Sequence, residues 1–140
     1  MRRDNGDGVP EPACSTSVRV NLASSVHSGR LVRRALEPLL ASVPPDSVHS
    51  VLLVASEMVS NVVQHTSGPC VFRAWLRGRC LRVEITDHAP GGVPSMRLTA
   101  TGEVGGHGLR LIDALSQGWG VTVDRAHSRK TVWAEISLDP

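Results

Sequence analysis

Residues 71 to 86 read Val71-Phe72-Arg73-Ala74-Trp75-Leu76, then Arg77-Gly78-Arg79-Cys80, then Leu81-Arg82-Val83-Glu84-Ile85-Thr86. The first and last of these runs alternate apolar and polar side chains, which is typical of half-buried strands. The middle run is short and contains a glycine, as turns between paired strands do. The stretch therefore predicts an antiparallel β-hairpin.

Two helices and a strand are predicted before this hairpin. Asp46 suits the N-cap of a helix over about residues 47–65, on which the apolar side chains form one broad arc. Apolar residues from Leu31 to Leu40 recur at helical spacing and predict an earlier helix, which Pro44 and Pro45 end. Alternation over residues 18–22 predicts the first strand.

After the hairpin, residues 87–106 are rich in glycine and proline and predict a long loop, which in a compact domain is usually functional. A helix over about residues 108–117 follows, and Gly118 stops it. Strands over residues 119–123 and 131–138 close the chain. This order predicts an α+β fold, a two-layer α/β sandwich with a mixed, mostly antiparallel sheet and helices on one face.

Length and composition fit one domain. The chain has 140 residues, of which 41% are hydrophobic. Residues 1–16 are rich in Gly, Pro, Asp and Ser, so we expect a disordered tail before a single domain of residues 17–140. Cys14, Cys70 and Cys80 lack metal-site spacing, so buried, reduced thiols are expected.

Charge and hydropathy argue against nucleic acid and membrane partners. The formal charge is +2, Lys130 is the only lysine, and aromatic residues make up 3% of the chain. Binding by phosphate neutralisation or base stacking is therefore not expected. No apolar run is long enough to cross a bilayer, and the N-terminus does not have the pattern of a signal peptide, so we expect a cytoplasmic protein.

Glu57 and Asn61 form the first motif with chemical potential. They are four residues apart on the predicted second helix, so their Cβ atoms should lie roughly 6 Å from each other. A carboxylate and an amide oxygen in a partly apolar setting can hold a hydrated Mg²⁺ or orient a nucleophile. Taken alone, the pair is equally compatible with an ordinary polar stripe.

Asp87 forms the second motif, because an alternating strand delivers this acid directly into a loop that contains Gly91 and Gly92. A carboxylate at a strand end can accept a hydrogen bond from an exocyclic amine such as that of adenine. A turn-forming aspartate before proline and glycine is the alternative interpretation.

A glycine cluster forms the third motif. Gly102, Gly105, Gly106 and Gly108 run into the start of the predicted third helix. The free N–H groups and the dipole of a helix N-terminus favour phosphate binding. Glycines also mark plain linkers, so the position before an apolar helix is the informative feature.

Together and in this order, the three motifs resemble the N, G1 and G2 boxes of the GHKL ATPase superfamily. Residues 54–61, 106–113 and 130–136 look in particular like the anti-sigma factor serine kinases of bacteria. The similarity spans about residues 18–138. It implies a Bergerat-type ATP-binding fold, with a histidine kinase-like ATP-binding domain over residues 17–140.

The resemblance also implies roles for residues around the phosphates. Asn61 would ligate a Mg²⁺ that bridges the ATP phosphates, and Glu57 would act as the general base on the attacking hydroxyl. Gly106, Gly108 and Leu109 would hold the phosphates. The implied cofactors are ATP and Mg²⁺.

Around the base, the resemblance implies that Asp87 accepts a hydrogen bond from the adenine amine and that Gly91 lines the pocket. Thr131, on the closing strand, would support the adenine contact through its hydroxyl. Residues from about 95 to 105 would form a mobile lid.

The function that the resemblance implies is that of an ATP-binding anti-sigma factor. Such a protein phosphorylates a serine or threonine of an anti-anti-sigma antagonist, binds a sigma factor in its other state, and so regulates transcription by partner switching. The family is commonly dimeric, so a homodimer is expected as well. Arg30, Arg33 and Arg34 of the first helix offer a surface for an acidic partner, or simply a solvated face.

One departure from the family pattern supports an alternative. Ala89 stands where the family has the first glycine of its Asp-x-Gly-x-Gly motif. The alternative is a catalytically weak or inactive ATP-binding module that acts only by sequestering a protein. The catalytic part of a two-component histidine kinase is expected least, because these residues include no phosphoacceptor helix pair before the domain.

Overall fold

The computed structural model describes residues 17–23, 25–65, 68–88 and 104–139. Within them the chain forms, in order, β1 (Ser17–Leu22), α1 (Ser28–Leu40), α2 (Pro45–His65), β2 (Cys70–Arg77), β3 (Cys80–Asp87), α3 (Val104–Leu115), β4 (Gly118–Asp124) and β5 (Arg129–Ser137). The predicted order of elements is confirmed for this part of the chain. The tail of residues 1–16 and most of the predicted loop lie outside the described residues.

The strands form a five-stranded sheet in the order β1-β2-β3-β5-β4. Every strand pairing is antiparallel. In the hairpin of β2 and β3, Phe72 lies opposite Ile85 and Ala74 lies opposite Val83, as the alternation predicts. After α3 the chain enters the sheet at edge strand β4 and returns as β5, which fills the place between β4 and β3.

The helices cover one face of this sheet. Helix α1 packs on β1 and β2, α2 packs on β3 and β5, and α3 packs on α2 and β4. The inward-facing side chains of the central strands are almost fully buried; they include Phe72, Ala74, Val83, Ile85, Val132 and Ala134. This arrangement confirms the predicted α+β fold with two layers.

The ends of the helices differ from the predicted ones. Helix α2 begins at Pro45, which suits the first helical position because its missing N–H is not needed there. Asp46 therefore lies inside the first turn and not at the N-cap. In the first turn its negative charge still interacts favourably with the helix dipole. Helix α1 ends at Leu40, before Pro44 and Pro45, and it contains Pro38, whose missing N–H removes one hydrogen bond to the preceding turn.

Helix α3 begins at Val104, earlier than the predicted start at about residue 108, and ends at Leu115. Glycine disfavours helices, which is why the glycines near residue 106 predict a loop. Propensity is a weak prior, however, and packing against α2 and β4 outweighs it here. Within the described residues, no helix is both long and apolar enough to cross a membrane.

Gly78, in the turn of the first hairpin, has a φ angle of +61°. A Cβ atom added there would meet no heavy atom within 4 Å, so alanine would be disfavoured by the backbone alone. We expect Gly78→Ala to lower the free energy of unfolding by about 1 kcal/mol in urea titrations. Gly29→Ala is the control, because Gly29 lies in α1 with equally open space, and alanine should there be neutral or stabilising. A Gly78→Ala variant as stable as the parent would contradict this turn geometry.

Candidate functional site

The candidate site lies at the edge of the sheet where β2 begins and β3 ends. Cys70, the first residue of β2, lies opposite Asp87, the last residue of β3. Helix α2 ends at His65, shortly before Cys70, so its last turns lie near the same edge. The fold therefore brings Asn61 and Asp87, which are far apart in the sequence, toward one edge of the helix-covered face.

Asp87 is paired with a buried cation. It faces Lys130 across the β3–β5 register, and the two side chains share the sheet face of Ile85 and Val132. The Lys130 Nζ lies 3.4 Å from the Asp87 Oδ2, and the two side chains are only 5% and 1% exposed. A buried carboxylate needs an opposite charge or hydrogen-bond donors close to it, and Lys130 is one such partner.

The thiol of Cys70 is affected by the negative charge of Asp87, which lies opposite it in the β2–β3 register. Burial and then the negative charge of Asp87 raise the pKa of the Cys70 thiol to about 11. Cys70 is buried and free, as predicted, whereas the free Cys80 is only half-buried. Cys14 lies outside the described residues. A raised pKa and burial both lower the nucleophilicity of a thiol, which fits a structural role for Cys70.

Glu57 and Asn61 lie on α2, the middle helix of the layer. Because α1 and α3 flank this helix, less of its surface reaches water than its sequence alone indicates. Asn61 is buried and Glu57 is half-buried, while the neighbouring Val54 and Met58 are fully buried. The pair therefore presents a carboxylate and an amide in a largely apolar setting.

The side-chain amide of Asn61 is not fully hydrogen-bonded within the described residues. Its Nδ2 atom is buried and makes no hydrogen bond within the described part of the chain. Buried polar groups are nearly always hydrogen-bonded, so such an atom points to a missing partner. The oxygens of a phosphate would satisfy the nitrogen, and the amide oxygen can ligate Mg²⁺. The residues present therefore fit a metal-bound phosphate.

Protein ligands alone do not make a metal centre here. Across residues 17–23, 25–65, 68–88 and 104–139, no group of three or more His, Cys, Asp or Glu side chains could hold a metal ion. Magnesium in nucleotide sites is usually bound by one or two protein oxygens together with phosphates and water. Asn61 as the protein ligand fits that pattern.

Thr131 does not point toward Asp87. It lies opposite Thr86 in the β3–β5 register, on the sheet face away from the helices, and the two hydroxyls are 2.8 Å apart. Its hydroxyl and the Asp87 carboxylate therefore lie on opposite faces of the sheet, and the adenine contact that the resemblance implies for Thr131 stays a prediction. The residue that lies beside Asp87 on the helix-covered face is Lys130. The strand alternation carried this signal, because Lys130 shares the parity of the apolar Val132 and Ala134.

The glycines at positions 106 and 108 lie within α3 and not in a loop before it. Gly106 belongs to the first four residues, whose N–H groups have no intrahelical partner, so its N–H can still face an anion. Gly108 is the fifth residue, where an N–H can bond back to the first carbonyl. Leu109 follows it in the same helix, and Gly91 and Ala89 lie outside the described residues.

Comparison with known proteins shows the family to which the chain belongs. No curated protein matches the chain. A family model described as the histidine kinase-like ATPase domain matches residues 22–136, which is most of the 140-residue chain. The match includes all three helices, strands β2, β3 and β4 in full, and β5 except Ser137, whereas of β1 it includes only Leu22. The chain therefore belongs to the family of histidine kinase-like ATPase domains.

Proposed function

We propose that this domain binds Mg-ATP and transfers the γ-phosphoryl group to a serine or threonine of an anti-anti-sigma protein, and that it binds a sigma factor when not so engaged. The observation that carries the proposal is the buried Asn61 amide, whose Nδ2 has no hydrogen-bond partner among the described residues. It lies one helical turn from the carboxylate of Glu57. Membership of an ATPase family supports the nucleotide.

In this proposal the base and the phosphates are bound by different elements. Asp87, at the end of β3, accepts a hydrogen bond from the adenine amine, and Gly91 lines the base pocket. Asn61 of α2 would hold the Mg²⁺, which would neutralise phosphate charge. The first turns of α3, with Gly106, Gly108 and Leu109, lie against the phosphates.

Glu57 acts as the general base. Its carboxylate accepts the proton of the substrate hydroxyl as that oxygen attacks the γ-phosphorus, and the bond to the β–γ bridging oxygen breaks to release ADP. Little covalent chemistry is required of the protein, since phosphoryl transfer depends on positioning and charge neutralisation. The Glu57 carboxylate is half-buried beside apolar side chains, so it is partly shielded from water, which suits this role.

A phosphorylation assay tests the proposal. The protein is incubated with γ-labelled Mg-ATP and purified candidate anti-anti-sigma proteins, beside Glu57→Ala and the control Glu37→Ala, whose side chain is exposed on α1. We expect Glu57→Ala to slow transfer by about 10²- to 10⁴-fold while Mg-ATP affinity changes little. Glu37→Ala should behave like the parent. Undiminished transfer by Glu57→Ala would exclude it as the base.

The second candidate function is an ATP-binding module that acts by sequestration alone. Ala89, in place of a family glycine, favours it, because alanine resists a left-handed backbone. Arg30, Arg33 and Arg34 are exposed on α1 and suit an acidic protein surface under both functions. Mg-ATP binding and stable sigma factor capture without phosphoryl transfer would select this candidate. Under either function the protein would act with the transcription machinery in the cytoplasm.

A further inference from the structure

Lys130 is the only lysine in the chain, and it is 4% exposed in the candidate site. A lysine near a surface usually extends its flexible stem so that the ammonium reaches water. Here the strand register turns the side chain toward the helix layer, beside Asp87. The placement of this single ammonium beside the carboxylate proposed to bind the base requires a separate explanation.

The distance between the Lys130 ammonium and the Asp87 carboxylate is longer than that of a typical direct ion pair. Charge-assisted hydrogen bonds between ammonium and carboxylate are about 2.7–2.9 Å. The Lys130 Nζ lies 3.4 Å from the Asp87 Oδ2. An ammonium has three donors, so Lys130 can approach Asp87 and still donate to a third group placed between the helix layer and the strand ends.

We propose that Lys130 is a base-reading residue, which donates a hydrogen bond to the ring nitrogen beside the exocyclic amine of adenine while Asp87 accepts one from that amine. The adenine edge offers a donor next to an acceptor, the N6 amine beside N1 on one side and N7 on the other. A buried carboxylate beside a buried ammonium is the complement of such an edge. The inference rests on the proposed nucleotide site.

A purely structural ion pair would behave differently from a base-reading pair. Loss of Lys130 would then alter the stability of the fold, but the protein would not distinguish nucleotides that differ by one ring nitrogen. Base analogues therefore separate the two roles. The matched control is Arg129→Met, because Arg129 is the preceding residue of β5 and is exposed.

The experiment is calorimetric titration with Mg-ATP and with the Mg²⁺ complexes of 1-deaza-ATP and 7-deaza-ATP. We expect the parent protein to bind one of the two analogues about 10- to 100-fold more weakly than ATP. Lys130→Met should bind ATP more weakly by a similar factor and should no longer distinguish that analogue. Arg129→Met should behave like the parent, and Lys130→Gln, which keeps a donor, should retain part of the discrimination.

Three results would overturn the inference. The first is a parent protein that binds ATP and both analogues equally, which would leave the nucleotide site in place. The second is a Lys130→Met variant that binds ATP more tightly or still distinguishes the same analogue. The third is a folded parent protein that does not bind Mg-ATP, which would overturn the proposed function as well. The analogue comparison on the parent protein does not depend on whether any variant folds.

Discussion

Replacing Asp87 with alanine is expected to lower Mg-ATP affinity at least about 100-fold and to destabilise the domain by about 3 kcal/mol. The affinity falls because the proposed acceptor for the adenine amine is removed. The stability falls because Lys130, 4% exposed, is left buried without its carboxylate partner. Calorimetric titration measures the first effect and urea unfolding measures the second.

A double variant separates these two effects. Asp87→Ala combined with Lys130→Met removes both charges, so most of the lost stability should return. Nucleotide affinity should remain low, because both groups that are proposed to contact the base are absent. An Asp87→Ala variant whose Mg-ATP affinity lies within tenfold of the parent would contradict the place of Asp87 in the site. An unchanged free energy of unfolding would contradict the buried ion pair.

Replacing Glu84 with alanine is expected to destabilise the domain by about 3 kcal/mol or more without weakening nucleotide binding. Glu84 lies on the sheet face away from the helices and is 3% exposed. Its Oε1 accepts a hydrogen bond from Arg73 at 2.6 Å, and its Oε2 accepts two from Arg82 at 3.1 and 2.9 Å. Removing this carboxylate leaves the guanidinium of Arg82, whose side chain is 3% exposed, with less compensating negative charge.

The control for this prediction is Arg77→Met. Arg77 pairs with Glu135 at 2.7 Å, but its side chain is 50% exposed, so its loss should cost less than about 1 kcal/mol. Urea unfolding compares the two variants, and calorimetry checks their Mg-ATP affinity. Equal stability of the two variants would contradict the buried network around Glu84. Loss of nucleotide binding in a folded Glu84→Ala variant would contradict the assignment of the two sheet faces.

The layered fold could be predicted because its main signals are local. Alternation over residues 71–86 specifies both the hairpin and its buried face, and Phe72 and Ile85 indeed meet in the core. The spacing of Glu57 and Asn61 on one helix is equally local. Sequence periodicity does not show which elements pack against that helix. Asn61 is buried because α2 lies between α1 and α3, which is a property of the tertiary structure.

The sequence does not single out Lys130 as a neighbour of Asp87, for an identifiable reason. Thr131 was assigned by resemblance, but the register places it beside Thr86 on the other sheet face. Lys130 is the residue that reaches Asp87. A buried lysine is uncommon, so hydropathy disfavours placing it inward. Strand parity is the stronger constraint, because a shift by one residue would turn the apolar side chains of β5 toward the opposite face.

The early start of α3 has a different physical origin. Glycine at positions 105, 106 and 108 lowers helix propensity, so sequence favours a loop there. The helix nevertheless begins at Val104, and Ile112 on the same helix is fully buried. Helical stability in proteins comes mostly from packing of an apolar face, which local propensity does not measure.

The central claim is that Asn61 and Asp87 form one nucleotide site, and calorimetric titration of Mg-ATP tests it most directly. The protein is compared with Asn61→Ala and with Gln64→Ala, a control on the exposed side of α2. Saturable one-to-one binding by the parent and by Gln64→Ala, with none by Asn61→Ala, is the predicted result. A folded parent protein that binds no nucleotide at millimolar concentration, or an Asn61→Ala variant with undiminished affinity, would contradict the claim.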